Sequence, residues 1–327
     1  MKEYDVFGIG SALVDLLILV EEEKLKDLNL EKGYTHPIDE DRSKELMGKI
    51  KGHDVKIIPG GSSANVMAAI SVLGGKVVFC GKVGNDEHGR LYEKAMTENN
   101  IKSYIAKEEK LTGHAITFIT PDSERTMATY KGASLFLAKE DILEEDVKKS
   151  KFLHIEGYQL EDPQLRETAL HAMNIAKNSD TKISIDLADA GLVKRNLDDI
   201  RKIVKDYADV VFANELEAEA FTEMKDEEKA VEELSKFADI AIVKLGERGS
   251  LIRGKGQTIR IDVVPTNAVD TTGAGDVYAA GFLHGLCNGF SLAQTGNMAS
   301  YIASKIVSQI GARLDSTVRE DLTLKFL

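Results

Sequence analysis

The 327-residue chain has only two cysteines, Cys80 and Cys287, both in apolar surroundings and without CxxC spacing. A disulfide framework or a thiolate zinc site is thereby excluded, and both are expected to be small buried hydrophobes. Prolines number five, and there is no Pro-rich linker, low-complexity tract or internal repeat. Long apolar runs are missing too. Asp15 interrupts the stretch from Ala12 to Val20, and small and polar residues interrupt the one around Ile70, so no transmembrane helix is expected. Met1-Lys2-Glu3-Tyr4-Asp5 lacks the basic start of a signal peptide, and the expected location is the cytoplasm. Positive charge is in deficit, 42 basic against 54 acidic residues for a net charge of −12, which argues against nucleic acid as a partner. The seven histidines show no HExxH or other ligand-like spacing.

What is present is enough apolar content, 43% of residues, to bury a large core. From residue 151 onward, apolar runs at Phe152 to Ile155, Ile183 to Leu187, Val210 to Ala213 and Ile240 to Leu245 start about 30 residues apart, the length of a βαβ unit. That spacing predicts an α/β fold with a doubly wound, mostly parallel sheet. Tyr4 to Gly10 and Lys76 to Gly81 read as further core strands. Gly113 to Thr120 and Arg125 to Tyr130 instead alternate apolar and polar residues, which predicts a sheet with one face in water. With Leu16 to Val20 they are expected to form a small β lid from two insertions, 13–39 and 111–133. The segments 1–12, 40–110 and 134–327 then make up the large nucleotide-binding and catalytic unit.

Two motifs fail on inspection. Gly8-Ile9-Gly10-Ser11-Ala12-Leu13 begins like a dinucleotide fingerprint, but Leu13 replaces the third glycine and a β-like run follows where a helix should open. Gly249 to Lys255 fits GxxxxGK, yet Gly256 stands where Ser or Thr is needed, and a strand and turn replace the helix.

The segment that promises chemistry is Asp270-Thr271-Thr272-Gly273-Ala274-Gly275-Asp276, followed by the apolar Val277-Tyr278-Ala279-Ala280-Gly281-Phe282-Leu283. Small residues leave the backbone bare just before a helix apolar nearly all round, hence buried. Amides at such a helix start, together with the macrodipole, favour an anion. A carboxylate in the first turn is either a cap or the base that activates a hydroxyl beside a migrating phosphoryl group.

The DTTGAGD segment resembles the C-terminal signature of the PfkB family of carbohydrate and nucleoside kinases. A second segment resembles that family's N-terminal signature: Gly60-Gly61-Ser62-Ser63-Ala64-Asn65, a buried helix, Gly74-Gly75, a strand, then Gly81-Lys82-Val83-Gly84-Asn85-Asp86-Glu87-His88-Gly89. The resemblance covers essentially the whole chain and implies a ribokinase-like fold, ATP and Mg2+, with K+ as a further candidate. By it, Asp276 matches the catalytic base and Gly273, Ala274 and Gly275 the anion hole. Asn214-Glu215-Leu216-Glu217 is similar to the NxxE motif, which assigns Asn214 and Glu217 to magnesium through water. Lys244, Gly246 and Gly249 match a nucleotide-side KLGxxG turn, Asn297 an adenine contact, and Asp270, Thr272 and Gly311 a monovalent-cation site. Asp15, Ser11, Gly61, Ser62, Asn65 and Tyr158 are assigned to the acceptor. The adenosine kinase-like branch looks nearest, though Ser11 replaces its usual Asn, and Gln159 follows Tyr158 where a second aromatic would complete a purine sandwich. A free sugar such as ribose, fructose or 2-keto-3-deoxygluconate therefore stays open, as does a catalytically silent relative. The expected partners are ATP and one small molecule, with the chain either a monomer or a homodimer through its lid.

Overall fold

The structure, a computed structural model, describes residues 2–122, 124–315 and 317–326, without the side chains of 323–326. Its first eight strands are β1 (Tyr4–Ile9), β2 (Leu13–Leu19), β3 (Thr35–Pro37), β4 (Lys56–Gly60), β5 (Val77–Gly84), β6 (Lys102–Glu108), β7 (Gly113–Ile119) and β8 (Arg125–Tyr130). Six follow: β9 (Ser150–Glu156), β10 (Lys182–Asp186), β11 (Val210–Asn214), β12 (Ile240–Lys244), β13 (Ser250–Gly254) and β14 (Gln257–Ile261). Five helices bear on the site: α1 (Glu40–Ile50), α2 (Ser62–Val72), α3 (Glu215–Thr222), α4 (Ala274–Cys287) and α5 (Leu292–Val307).

The larger sheet runs β14-β13-β12-β11-β10-β9-β1-β5-β6. It is parallel from β12 to β6, and only the hairpin strands β13 and β14 are antiparallel. Its strands are apolar on both faces because helices cover both: Val6 and Phe79 join the core on one side, Phe7, Val78 and Cys80 the core on the other. Cys80 is buried and Cys287 half-buried, and both are free thiols. Chain order steps outward from β1 to β5 and β6, then restarts at β9 and proceeds the other way. The reversal between β1 and β9 opens a crevice at the strands' carboxyl ends, where such sheets take ligands.

The smaller sheet has the order β3-β8-β7-β2-β4. Its membership corrects the sequence-based boundaries, since β4 lies within 40–110, assigned to the larger unit, and pairs antiparallel with β2. Helix α1 goes with it, through the Ser43 hydroxyl and the His114 ring 2.8 Å apart. This explains a second difference. Strand β8 alternates in burial as predicted, whereas β7 is buried at six of its seven positions. As a central strand it has no wet face, and Ile116 and Phe118 join the same buried core as Leu46 and Ile50 of α1.

Register sets what the other face presents. Asp15 stands opposite Ala115, and Ala115 opposite Thr129. Opposed residues share a face and side chains alternate along a strand, so Asp15 and Arg125, four residues before Thr129, project from the same side. That side looks across the crevice toward α4.

Candidate active site

Two helix starts meet in the crevice. Gly61 caps α2 at φ 93°, and a Cβ there would stand 2.2 Å from the Ser11 carbonyl oxygen, so only glycine lets the two loops approach. Gly273 caps α4 at φ 74°, where a Cβ would strike Ala312. Asp276 is in the first turn of α4 and only partly buried. From the first turn of α2 the Ser62 hydroxyl donates to Asp276 Oδ1 at 2.8 Å, and the Asn65 amide donates to Oδ2 at 2.9 Å. Ser62 and Asn65, expected at the acceptor, thus both bind the Asp276 carboxylate. Asn65 keeps its Oδ1 buried and without a partner among the described residues, one acceptor still to be satisfied. Burial pushes the Asp276 carboxyl above its ordinary value, Asn65 and Ser62 pull it back in part, and Asp186 pushes it up again.

Of the three residues expected to form the anion hole, Ala274 has its amide already engaged. The Ala274 amide donates to the Thr271 carbonyl at 3.1 Å. The amides of Gly273, Gly275 and Asp276 have no partner among the described residues, and these are the donors left for an anion.

Glu156, the last residue of β9, escaped the sequence reading. It is fully buried, accepts from the Ser11 amide at 3.1 Å and the Ser63 amide at 2.8 Å, and so ties the loop after β1 to the start of α2. Burial drives its carboxyl up to about 7, against the pull of those amides. Gln159 turns inward and donates to the Ser11 hydroxyl at 3.1 Å, while Tyr158 stays half-buried at the edge of this cluster. The Tyr158 hydroxyl is raised by burial and by Asp189, Glu156, Glu217 and Asp276. Asp15 comes in from β2 and is pushed up to about 6 by burial, with Arg313 and Arg125 opposing. Arg313, also unforeseen, donates to the carbonyls of Pro59 and Ala64. A carboxylate closing an apolar core strand, as Glu156 does in Phe-Leu-His-Ile-Glu and Asp186 in Ile-Ser-Ile-Asp, was the available signal for both acids.

Farther along the carboxyl edge, Asn214 caps α3 in a reciprocal box with Glu217: its amide and side chain donate to the carboxylate at 2.8 and 2.7 Å, and its Oδ1 accepts from the Glu217 amide at 2.9 Å. Burial lifts Glu217 to about 7, with Lys244 pulling down and Asp186 pushing up. The described residues contain no cluster of three His, Cys, Asp or Glu able to cage a metal. A desolvated carboxylate beside an amide fits the outer waters of a Mg2+ ion that arrives with its nucleotide. Lys244 forms a 2.8 Å ion pair with Asp186. The space beside Gly249 is filled by the Ile261 carbonyl oxygen, 1.9 Å from where its Cβ would be, so that glycine serves the β13–β14 hairpin. Gly246, at φ 56°, and Asn297 on α5 are both exposed and apart from the cluster.

The cation site is corrected as well. Asp270 accepts from the Gly311 amide at 2.7 Å and the Thr272 amide at 2.9 Å. Arg125, reaching over from β8, donates to the carboxylate of Asp270 and to the Thr272 hydroxyl. A guanidinium already faces these oxygens, so Asp270, Thr272 and Gly311 do not fit K+ here.

A carboxylate beside bare helix-start amides, at the switch point of a doubly wound sheet, has the donor and acceptor set that phosphoryl transfer to a hydroxyl needs. Residues 33–319 match the model of the pfkB family carbohydrate kinases, and the chain belongs to that family. It is a kinase that phosphorylates a hydroxyl group. It is 31% identical over 262 residues to a 5-dehydro-2-deoxygluconokinase of Listeria innocua, covering 76% of this chain and 81% of the relative. Its fold overlays a probable sugar kinase from Rhizobium etli with a TM-score of 0.92 at 29% identity, covering 99% of both chains. An adenosine kinase from Sinorhizobium meliloti gives 0.91 at 31% identity, over 98% of this chain and 99% of that one. Kinases of this family use ATP, with Mg2+ typical. No helix among the described residues is long and apolar enough to cross a membrane.

Proposed function

We propose that the chain transfers the γ-phosphate of ATP to a primary hydroxyl of a nucleoside, with Asp276 as general base. The observation that carries this is the first turn of α4, which offers a partly buried aspartate of raised pKa and unpaired amides within one rigid element. Asp276 takes the proton of the acceptor hydroxyl, the freed oxygen bonds to the γ-phosphorus, and the bond from that phosphorus to the ADP oxygen breaks. The amides of Gly273, Gly275 and Asp276 face the charge that develops on the migrating group. Asn214 and Glu217 would hold, through water, a magnesium ion that would neutralise the nucleotide's phosphates. On the acceptor side Asp15 and the free Asn65 Oδ1 suit vicinal hydroxyls, and Tyr158 suits a base stacked at the edge. The likeness to the adenosine kinase of Sinorhizobium meliloti across nearly the whole chain supports a nucleoside.

One observation favours a second reading, a free sugar or sugar acid. Gln159 is 1% exposed and hydrogen-bonded inward, so no second ring faces Tyr158 from that position. The curated relative named above is a sugar kinase by its name. ADP release measured over adenosine, other nucleosides, 5-dehydro-2-deoxygluconate, 2-keto-3-deoxygluconate, ribose and fructose decides between them. The kinase reading is abandoned if none of these acceptors supports turnover, or if Asp276→Asn protein turns over as fast as the parent.

A further inference from the structure

Lys244 ends β12 and Asp186 ends β10, on either side of β11 at the carboxyl edge of the sheet. The Lys244 ammonium is 2.8 Å from Asp186 Oδ2 and has no other hydrogen-bond partner among the described residues, so two of its three N–H groups are unspent. The Asp186 side chain, 7% exposed, also accepts from the Ala188 amide at 3.1 Å. Lys244 itself is 16% exposed. A Cβ placed on Gly275 would lie 3.2 Å from Lys244 Nζ, so the ammonium rests against the backbone whose amide is unpaired. Burial pulls the ammonium's pKa down, but Asp186 and Glu217 more than offset this and keep it charged.

A buried ion pair is weak evidence for stability, because desolvation cancels most of its attraction. A cation with unspent donors, aimed at empty amides, is what a transferring phosphoryl group requires. We propose that Lys244 is a catalytic residue that contacts the migrating phosphoryl group from the side opposite the acceptor, and that Asp186 is the positioning residue that holds it there. The inference rests on the kinase reading and narrows Lys244 from a nucleotide-side contact to the terminal phosphate. As the bond to ADP breaks and the bond to the acceptor forms, the ammonium offsets charge on the equatorial oxygens; it neither gives nor takes a proton.

The test is a pair of variants, Lys244→Met and the double variant Asp186→Asn/Lys244→Met, which leaves no unpaired buried carboxylate if the single change does not fold. Turnover is measured alongside the Kd of AMP and of β,γ-imido-ATP. The expected result is a fall in kcat of about 100-fold or more, the scale of losing one preorganised donor, with the imido-ATP Kd rising about tenfold and the AMP Kd within twofold. A folded variant whose kcat falls less than tenfold, or whose AMP and imido-ATP affinities weaken together, overturns the proposal. If the parent phosphorylates no hydroxyl acceptor, the kinase reading fails, while the comparison of the two nucleotides still tests where Lys244 points.

Discussion

The loop from Asp270 to Asp276 carries a carboxylate at each end, and the two are treated in opposite ways. At Asp270 burial pushes the pKa up, but the amides of Gly311 and Thr272, the Thr272 hydroxyl and Arg125 more than offset it, and the group is held below its ordinary value. At Asp276 burial wins over two side-chain donors, and the group is held above it. Both acids are desolvated, and what separates them is the number of donors and the presence of a cation in contact. The first arrangement favours the charged carboxylate, and the second raises the proton affinity of the acid proposed as the base.

Asp276→Asn breaks the comparison most severely. Removing the base should lower kcat about a thousand-fold, within the range general-base catalysis supplies. Stability should move the other way. A carboxyl whose pKa is raised on folding weakens the fold once pH exceeds that value, and the penalty is relieved by protonation as pH falls. Asparagine removes the charge, and the Asn65 amide can turn its free Oδ1 to accept from the new donor. The melting temperature at pH 8 should equal or exceed the parent's; a fall of several degrees would show that Asp276 is a structural cap.

Glu156→Gln sharpens the comparison with a third acid, one that ties loops together. Its carboxylate accepts from two amides, whereas glutamine sets its own N–H against one of them, leaving a buried donor unsatisfied at about 1–3 kcal/mol. With Ser11 and the start of α2 loosened, the acceptor KM should rise about tenfold and kcat fall less. The sign of the pH effect follows from a shift from 4.5 to about 7. Between those values the folded parent binds the proton more tightly than the unfolded chain, so ionising Glu156 costs the parent stability as pH rises. The melting temperatures of parent and variant should therefore converge from pH 5 to pH 8, and a gap that widens over that range would refute the assignment.

A smaller effect belongs to the donors on the base. Ser62→Ala or Asn65→Ala removes a hydrogen bond that favours the ionised carboxylate, so the acid limb of the kcat profile should shift to higher pH. An unchanged limb would show that Asp276 does not limit the reaction on that side.

How much of this was legible in the sequence varied with the kind of contact. The βαβ spacing and the bare loop before an apolar helix gave the parallel sheet and the start of α4, because both are local patterns. Strand β4 was missed because Lys-Ile-Ile-Pro-Gly has neither alternation nor length, and only its pairing with β2 makes it a strand of the smaller sheet. The partners of the site residues were hidden for the same reason. Ser62 and Asp276, Asp186 and Lys244, and Arg125 and Asp270 are separated by 214, 58 and 145 residues, and no spacing rule reaches across such distances.

The contact between Arg125 and Asp270 yields the smallest predicted effect and the most direct test of what the first carboxylate is for. With a guanidinium supplying the positive charge, the parent's rate should change less than twofold when Na+ replaces K+ at constant ionic strength. Arg125→Ala removes that charge and frees the Asp270 carboxylate and the Thr272 hydroxyl, two oxygens open to a small cation. The variant should be several-fold slower and recover part of its rate with K+ but not with a bulky quaternary ammonium. A parent that already requires K+ would place an ion elsewhere in the crevice and remove Arg125 from this role. A variant that slows without any cation response would instead make Arg125 a tie between the two sheets, with Asp270 its anchor.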